Sequence, residues 1–283
     1  EQWLDQILSE YLKNCLSVSG RDKENVHFDP ERHHALACRA AAESAVLLKN
    51  EGHLLPLAAG TRVAVIGEFA RVPRYQGSGS SCVNPTQVDC PLTYLENSSL
   101  DVIGYAPGYE RFGGRNDSAF QDAIALARRA EVVILWLGLD ELAETEGMDR
   151  EDMSLRPCQV ELLEALSREN SSIVVVLSGG APIETPWISC CKSLIHGYLG
   201  GQAGAGAMAD LLTGNAVPCG KLAESWPMTL EDTPCARYYP GREKTAEYRE
   251  GIYVGYRYYD TVGKQVRFPF GFGLSYTSFE YAD

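Results

Sequence analysis

The chain contains no run of about eighteen apolar residues and no secretory leader pattern, so nothing in it reads as a helical membrane span or an export signal. Its nine cysteines, Cys15, Cys38, Cys82, Cys90, Cys158, Cys190, Cys191, Cys219 and Cys235, include no CxxC pair. An odd number without paired spacing argues against a disulfide framework and for a reduced, cytoplasmic setting. Basic residues are scarce: 25 Lys and Arg face 38 Asp and Glu, a net charge of −13. That balance excludes nucleic acid and anionic membrane as natural partners and suits a neutral substrate. A dinucleotide fingerprint is missing too. After RVAVIG only Gly67 sits at the turn, and the next glycines come ten residues later. No phosphate-loop lysine follows either, so no cofactor is expected. His33, His34 and Cys38 share a helical spacing, but one helix without a second ligand cluster makes no metal site, and none is expected.

What is present suits an α/β protein. At 283 residues and 45% hydrophobic the chain can bury a substantial core, as one large domain or two ordinary ones. The spacing of Trp3, Leu4, Ile7, Leu8, Tyr11 and Leu12 predicts a helix over Glu1–Val18, and Ser19–Phe28 reads as a polar linker. Because the first residue is Glu1, the chain is expected to begin inside a longer protein. Asp29–Pro30 offers an N-cap with proline at the first helical position, opening a helix that should run to Gly52. Apolar runs at Val63–Ile66, Val102–Ile103, Val132–Leu137, Ile173–Leu177 and Leu194–Leu199 read as strands. Between some of them lie helical faces: Phe120, Ala123, Ile124 and Ala127; Val160, Leu163 and Leu166 after Pro157; and Ala205, Met208, Ala209 and Leu212 up to Gly214. This alternation predicts a mainly parallel sheet covered on both faces. Beyond Pro227 a long polar stretch should be an irregular excursion. Gly251–Asp260 reads as a strand or hairpin arm, and Phe268–Tyr276 as chain laid tightly against a neighbouring surface.

Two loops invite a chemical reading. Asp140–Asp152, DELAETEGMDRED, follows the buried-strand run Glu131–Leu139. Asp140, Glu141, Glu144, Glu146, Asp149, Glu151 and Asp152 crowd it, with Arg150 and Gly147 among them. The carboxyl end of a parallel strand is where open α/β sheets carry their chemistry. Crowded like charges make each carboxylate harder to ionise, which predicts a pKa raised towards that of a general acid. On charge pattern alone, a solvated acidic loop is the plainer alternative. In the loop after RVAVIG, Gly77 and Gly79 let the backbone approach a ligand, and Ser80 and Ser81 offer hydroxyls. The turn SGGAPIETPW reads as a tight connection, and GYLGGQAGAGA as small residues permitting close helix-to-sheet packing.

Taken in order, AAAESAVLLKNEGHLLPL, YQGSGSSCVNP, ETEGMDREDMSL with Gln159, SGGAPIETPW, GYLGGQAGAGAMADLLTGNAVPCGKLAESWP, YREGIYVGYRYYD and FPFGFGLSYTSFEY resemble the αβα-sandwich domain of family-three glycoside hydrolases, the group containing many β-glucosidases. The resemblance implies a three-layer α/β sandwich with a mostly parallel sheet of about six strands over residues 29–283. Residues 1–28 would then be the terminal helix and linker of a preceding barrel domain. Members of that family are retaining enzymes with two catalytic carboxyl groups. The resemblance puts the acid/base role on Glu146 and a sugar contact on Ser80, with the nucleophile on the barrel and a β-glucoside or small oligosaccharide as substrate. Arg150 is expected to pair with neighbouring carboxylates. The chain departs from the pattern at Ser78, where glycine is usual, at Cys219 for serine, and at Phe272, where histidine is frequent. A noncatalytic sugar-binding or scaffold domain that merely inherits Glu146 is the alternative, and a nucleotide-binding domain a weaker one.

Overall fold

The computed structural model describes residues 2–19, 28–114, 116–241, 244–278 and 280. Contacts divide the chain into two units, 1–33 and 34–283. The first holds helix α1 (Gln2–Ser19), whose Trp3, Leu4, Ile7, Leu8, Tyr11 and Leu12 are all exposed. It also holds the start of α2 (Pro30–Ser44), where Asp29 Oδ1 accepts the Arg32 N–H at 3.0 Å, the cap foreseen from the sequence. Residues 20–27 of the expected linker lie outside the described residues.

The second unit is built on six strands: β1 (Val46–Asn50), β2 (Arg62–Ile66), β3 (Asp101–Ala106), β4 (Val132–Gly138), β5 (Ile173–Ser178) and β6 (Ser193–Tyr198). Their order is β1-β6-β5-β4-β2-β3, all parallel except β1, which runs against β6. Every residue of β4 is buried, as a central parallel strand covered on both faces requires. Helices α3 (Pro91–Glu96) and α6 (Gly204–Thr213) pack together, and α4 (Asp117–Ala127) packs on α5 (Pro157–Glu169). Right-handed crossovers put the two pairs on opposite faces of the sheet, giving the expected three-layer αβα sandwich. The small residues of α6 serve helix-to-helix contact: a Cβ on Gly206 would lie 3.0 Å from the Tyr94 ring of α3 and 3.3 Å from Cys38 Sγ of α2.

Two elements differ from the sequence reading. The helix expected to reach Gly52 stops at Ser44, and VLLKN becomes β1. Val46, Leu47 and Leu48 are almost fully buried there. Pairing with β6 buries all three consecutively, which a helix with one buried stripe does not allow, so tertiary pairing overrides the alanine-rich lead-in. Gly52, at φ 65°, lies inside a short 3-10 turn, Glu51–His53, instead of ending the helix. The segment Gly251–Asp260 is a turn followed by helix α7 (Tyr256–Val262), of which only Tyr259 is buried. A two-stranded ribbon, β7 (Trp226–Pro227) with β8 (Val266–Phe268), follows from the tail. Past it the chain lies against β1, with the Leu274 N–H donating to Leu47 O at 2.8 Å, as the glycine-aromatic composition suggested.

The topology also fixes where a site can form. From β2 the chain steps outward to β3, then returns past β2 to β4, so the strand order reverses between β2 and β4. Such a reversal leaves a crevice at the strands' carboxyl ends. Gly67 closes β2 there at φ 112°, and a Cβ on it would fall 2.3 Å from Trp136 O, so only glycine lets β2 end against β4.

Candidate active site

The loops leaving β2 and β4 meet over this crevice. The Ser80 N–H donates to Glu146 Oε2 at 2.6 Å, and the Glu146 N–H points back to Ser78 O at 3.4 Å. The two residues singled out from the sequence are thus neighbours, and both are exposed. Gly79 between the two contacts has φ 91°, and a Cβ on it would lie 2.6 Å from Glu146 Cβ. Ser78, the departure from the usual glycine, does not have a positive φ, so its side chain imposes no strain of that kind.

The electrostatics differ from the sequence expectation. The Ser80 side chain, and then its backbone N–H, hold the Glu146 carboxyl below the usual carboxylate range, whereas crowding predicts a rise. The reason is that five of the other six carboxylates of the loop, Asp140, Glu141, Glu144, Asp149 and Asp152, find partners elsewhere. Asp140, fully buried, takes Arg156 Nε at 2.6 Å and Nη2 at 3.1 Å, plus the N–H groups of Leu142 and Ala143. Burial opposes its ionisation, but these donors together outweigh it and its pKa is lowered. Glu141 is gripped by Arg111, Nε to Oε2 at 2.9 Å, and is likewise lowered although burial pushes the other way. Both oxygens of Glu144 accept the Gly180 N–H at 2.9 Å, Asp149 accepts the Tyr239 hydroxyl at 2.9 Å, and Asp152 accepts the Ser154 N–H at 2.7 Å.

Arg150 also departs from expectation. It donates to Pro182 O at 3.1 Å, and its buried Nη2 has no hydrogen-bond partner among the described residues. Burial first, with Glu144, Asp152 and Glu184 opposing, lowers its pKa. It lines a cleft of about 580 Å³ under the acidic loop, with Leu142, Met148 and Arg156. His34, which the sequence left without a role, is held by Asp89 Oδ2 at 2.8 Å and Gln202 Nε2 at 2.9 Å.

Sequence reasoning gave no role to the supports of the site, although Gln159 stands in the motif series that carries the resemblance. Gln159 is fully buried and pins the end of β4: its Oε1 accepts the Gly138 N–H and its Nε2 donates to Gly138 O, each at 2.9 Å. Gly180, in what reads as a plain turn, anchors the acidic loop through Glu144. Arg74 is buried between the two loops. No charge or periodicity in the sequence marks it: Arg71, three residues earlier in the same loop, has a largely exposed side chain.

Against known families, residues 45–256 match the glycosyl hydrolase family 3 C-terminal domain. The chain belongs to that family. It is 44% identical over its whole length to a thermostable β-glucosidase B of Acetivibrio thermocellus, covering 38% of that protein. Over 91% of its length it is 43% identical to an exo-α-(1→6)-L-arabinopyranosidase of Bifidobacterium breve, covering 35% of that one. Among solved structures, a GH3 β-glucosidase of Bifidobacterium adolescentis superposes on 95% of the chain with a TM-score of 0.90 at 44% identity, matching 40% of its own length. The chain therefore spans less than half the length of these relatives.

Proposed function

We propose that this family 3 domain supplies the general acid/base of a retaining β-glycosidase, most simply a β-glucosidase, whose nucleophile lies on a preceding (β/α)8 barrel. Glu146 protonates the departing glycosidic oxygen and then takes a proton from the water that releases the sugar. Ser80, beside it, contacts the sugar. The observation that carries this reading is the 2.6 Å contact from the Ser80 N–H to Glu146 at the sheet's switch point, which brings both groups to one exposed face.

A donor carboxyl must be protonated, and in this chain by itself Ser80 favours the ionised form. Covering the face with a second domain would supply what is missing. Desolvation and a nucleophile carboxylate about 5 Å away, the spacing of retaining enzymes, both raise a carboxyl pKa. The chain alone is accordingly expected to hydrolyse β-glucosides negligibly, and adding the barrel domain should restore turnover. Ordinary turnover by the purified 283-residue chain would refute the division of labour. Choice of sugar belongs to the remainder of the site: relatives of nearly equal identity are named for two different sugars. A panel of aryl β-glucosides and α-L-arabinopyranosides reads that choice directly.

A further inference from the structure

We propose that Arg74 is a positioning residue for Glu146: its buried guanidinium joins the loop carrying Ser80 to the loop carrying Glu146 and thereby sets where the acid's proton is delivered. The inference rests on the acid/base reading of Glu146 and goes beyond it by naming what holds that carboxyl in register.

Arg74 lies six positions before Ser80, and its side chain is 1% exposed. Its Nε donates to Leu139 O at 3.2 Å, at the start of the acidic loop, and its Nη2 donates to Glu144 O at 3.1 Å. The same Nη2 stands 3.9 Å from Glu144 Oε2, and the Glu144 carboxylate accepts the Gly180 N–H with both oxygens. Three loops, those after β2, β4 and β5, are thus joined at one cation–carboxylate pair. Glu144 is two residues from Glu146. The Ser80–Glu146 contact is on the exposed side of this junction, and Arg74 and Glu144 form its buried side.

Arginine suits the position because its planar fork spans two carbonyls and a carboxylate at fixed angles. Lysine could satisfy one of those acceptors with a compact charge, and methionine none. Without the fork, Leu139 O and Glu144 O lose their common donor, and the acidic loop is free to shift relative to Ser80. Displacements of about 1 Å at a reacting group cost rates on the order of 10²-fold.

The test is a leaving-group series measured on the barrel-containing protein. A misplaced acid slows substrates whose leaving group needs a proton and spares those that leave as stable anions. A merely less folded enzyme loses rate on both alike. Arg74→Met is expected to lower kcat/KM on alkyl β-glucosides by about 10²-fold, with dinitrophenyl β-glucoside reduced no more than about 5-fold, since little proton transfer is needed there. Arg74→Lys should fall between Met and wild type. Equal losses on both substrates, or no loss on either, overturn the proposal. Should Arg74→Met fail to fold, Glu144→Gln carries the same criterion, because it weakens the junction from the other loop while keeping the side chain's shape. Glu146→Gln runs alongside as a control. If it leaves alkyl glucoside turnover intact, the acid/base reading itself has failed. If it abolishes that turnover while the Arg74 and Glu144 variants show no leaving-group dependence, only the positioning role has failed.

Discussion

Replacing Gly79 by alanine puts a methyl group where the structure has no room for one. Its Cβ would stand 2.6 Å from Glu146 Cβ and 2.8 Å from Glu146 Oε2. Glu146 Cβ is fixed to the backbone and cannot rotate away, so one loop must move by several tenths of an ångström. The backbone at Gly79 also has φ 91°, a conformation that costs an L-residue roughly 1–2 kcal/mol. Gly147→Ala separates the two effects, since Gly147 has φ 82° and an added methyl there would meet nothing within 4 Å. Both variants carry the backbone strain, which for a unit of this size lowers Tm by about 2–8 °C. Only Gly79→Ala should break the Ser80–Glu146 contact. In nuclear magnetic resonance on the 283-residue chain, the Ser80 amide should move, and the Glu146 carboxyl should titrate closer to the ordinary value of about 4.3. An unchanged Ser80 amide and Glu146 titration in Gly79→Ala, or equal changes in Gly147→Ala, would refute the reasoning.

Gln159→Leu leaves the buried N–H and C=O of Gly138 without partners, and urea unfolding should show a loss of roughly 2–6 kcal/mol; a loss under about 1 kcal/mol would show that the end of β4 does not depend on that amide. The Asp140 carboxyl is lowered in the folded protein, so its contribution to stability is present above the unfolded pKa of about 3.9 and lost as pH falls through the folded value. Asp140→Asn should be less stable at neutral pH by ~3 kcal/mol, with a shallower loss below pH ~4; an acid limb as steep as wild type contradicts this. His196 is buried against Tyr198 and Trp226, and neither ring nitrogen meets a hydrogen-bond partner among the described residues. Burial pushes its pKa down to about 3, against a smaller opposing effect of the Leu177 backbone. The unfolded chain therefore takes up a proton below about pH 6.5 that the folded chain refuses, and His196→Phe should gain about 2 kcal/mol more at pH ~5 than at pH ~8. Equal effects at the two pH values would show that His196 is not held neutral.

The strands β2, β4 and β5 were legible because each holds an unbroken Val-, Ile- and Leu-rich run, and burial on both faces leaves that mark. β1 was not, because VLLKN follows an alanine-rich helix with no breaking residue between them, and only its partner β6 makes it a strand. α7 departs from its expected form for the converse reason. GYRYYD is β-prone by composition, yet no strand among the described residues pairs with it, and a helix buries Tyr259 alone. At the site, the meeting of Ser80 with Glu146 follows from the family's motifs and the sheet's switch point. The direction of the Glu146 pKa did not. Charge along one loop cannot show Arg111 arriving from the loop after β3, Arg74 from the loop after β2, or Arg156 folding back from the start of α5. Those three cations hold Glu141, Glu144 and Asp140 and leave Glu146 with Ser80 as its neighbour.

The account turns on the proton at Glu146. Its most direct test is turnover of a 2,4-dinitrophenyl β-glucoside by the barrel-containing Glu146→Ala protein, with and without azide. The account predicts that the variant forms a glycosyl-enzyme that breaks down slowly, and that azide restores the rate with β-glucosyl azide as product. Wild-type turnover in the variant, with no azide product, would contradict it.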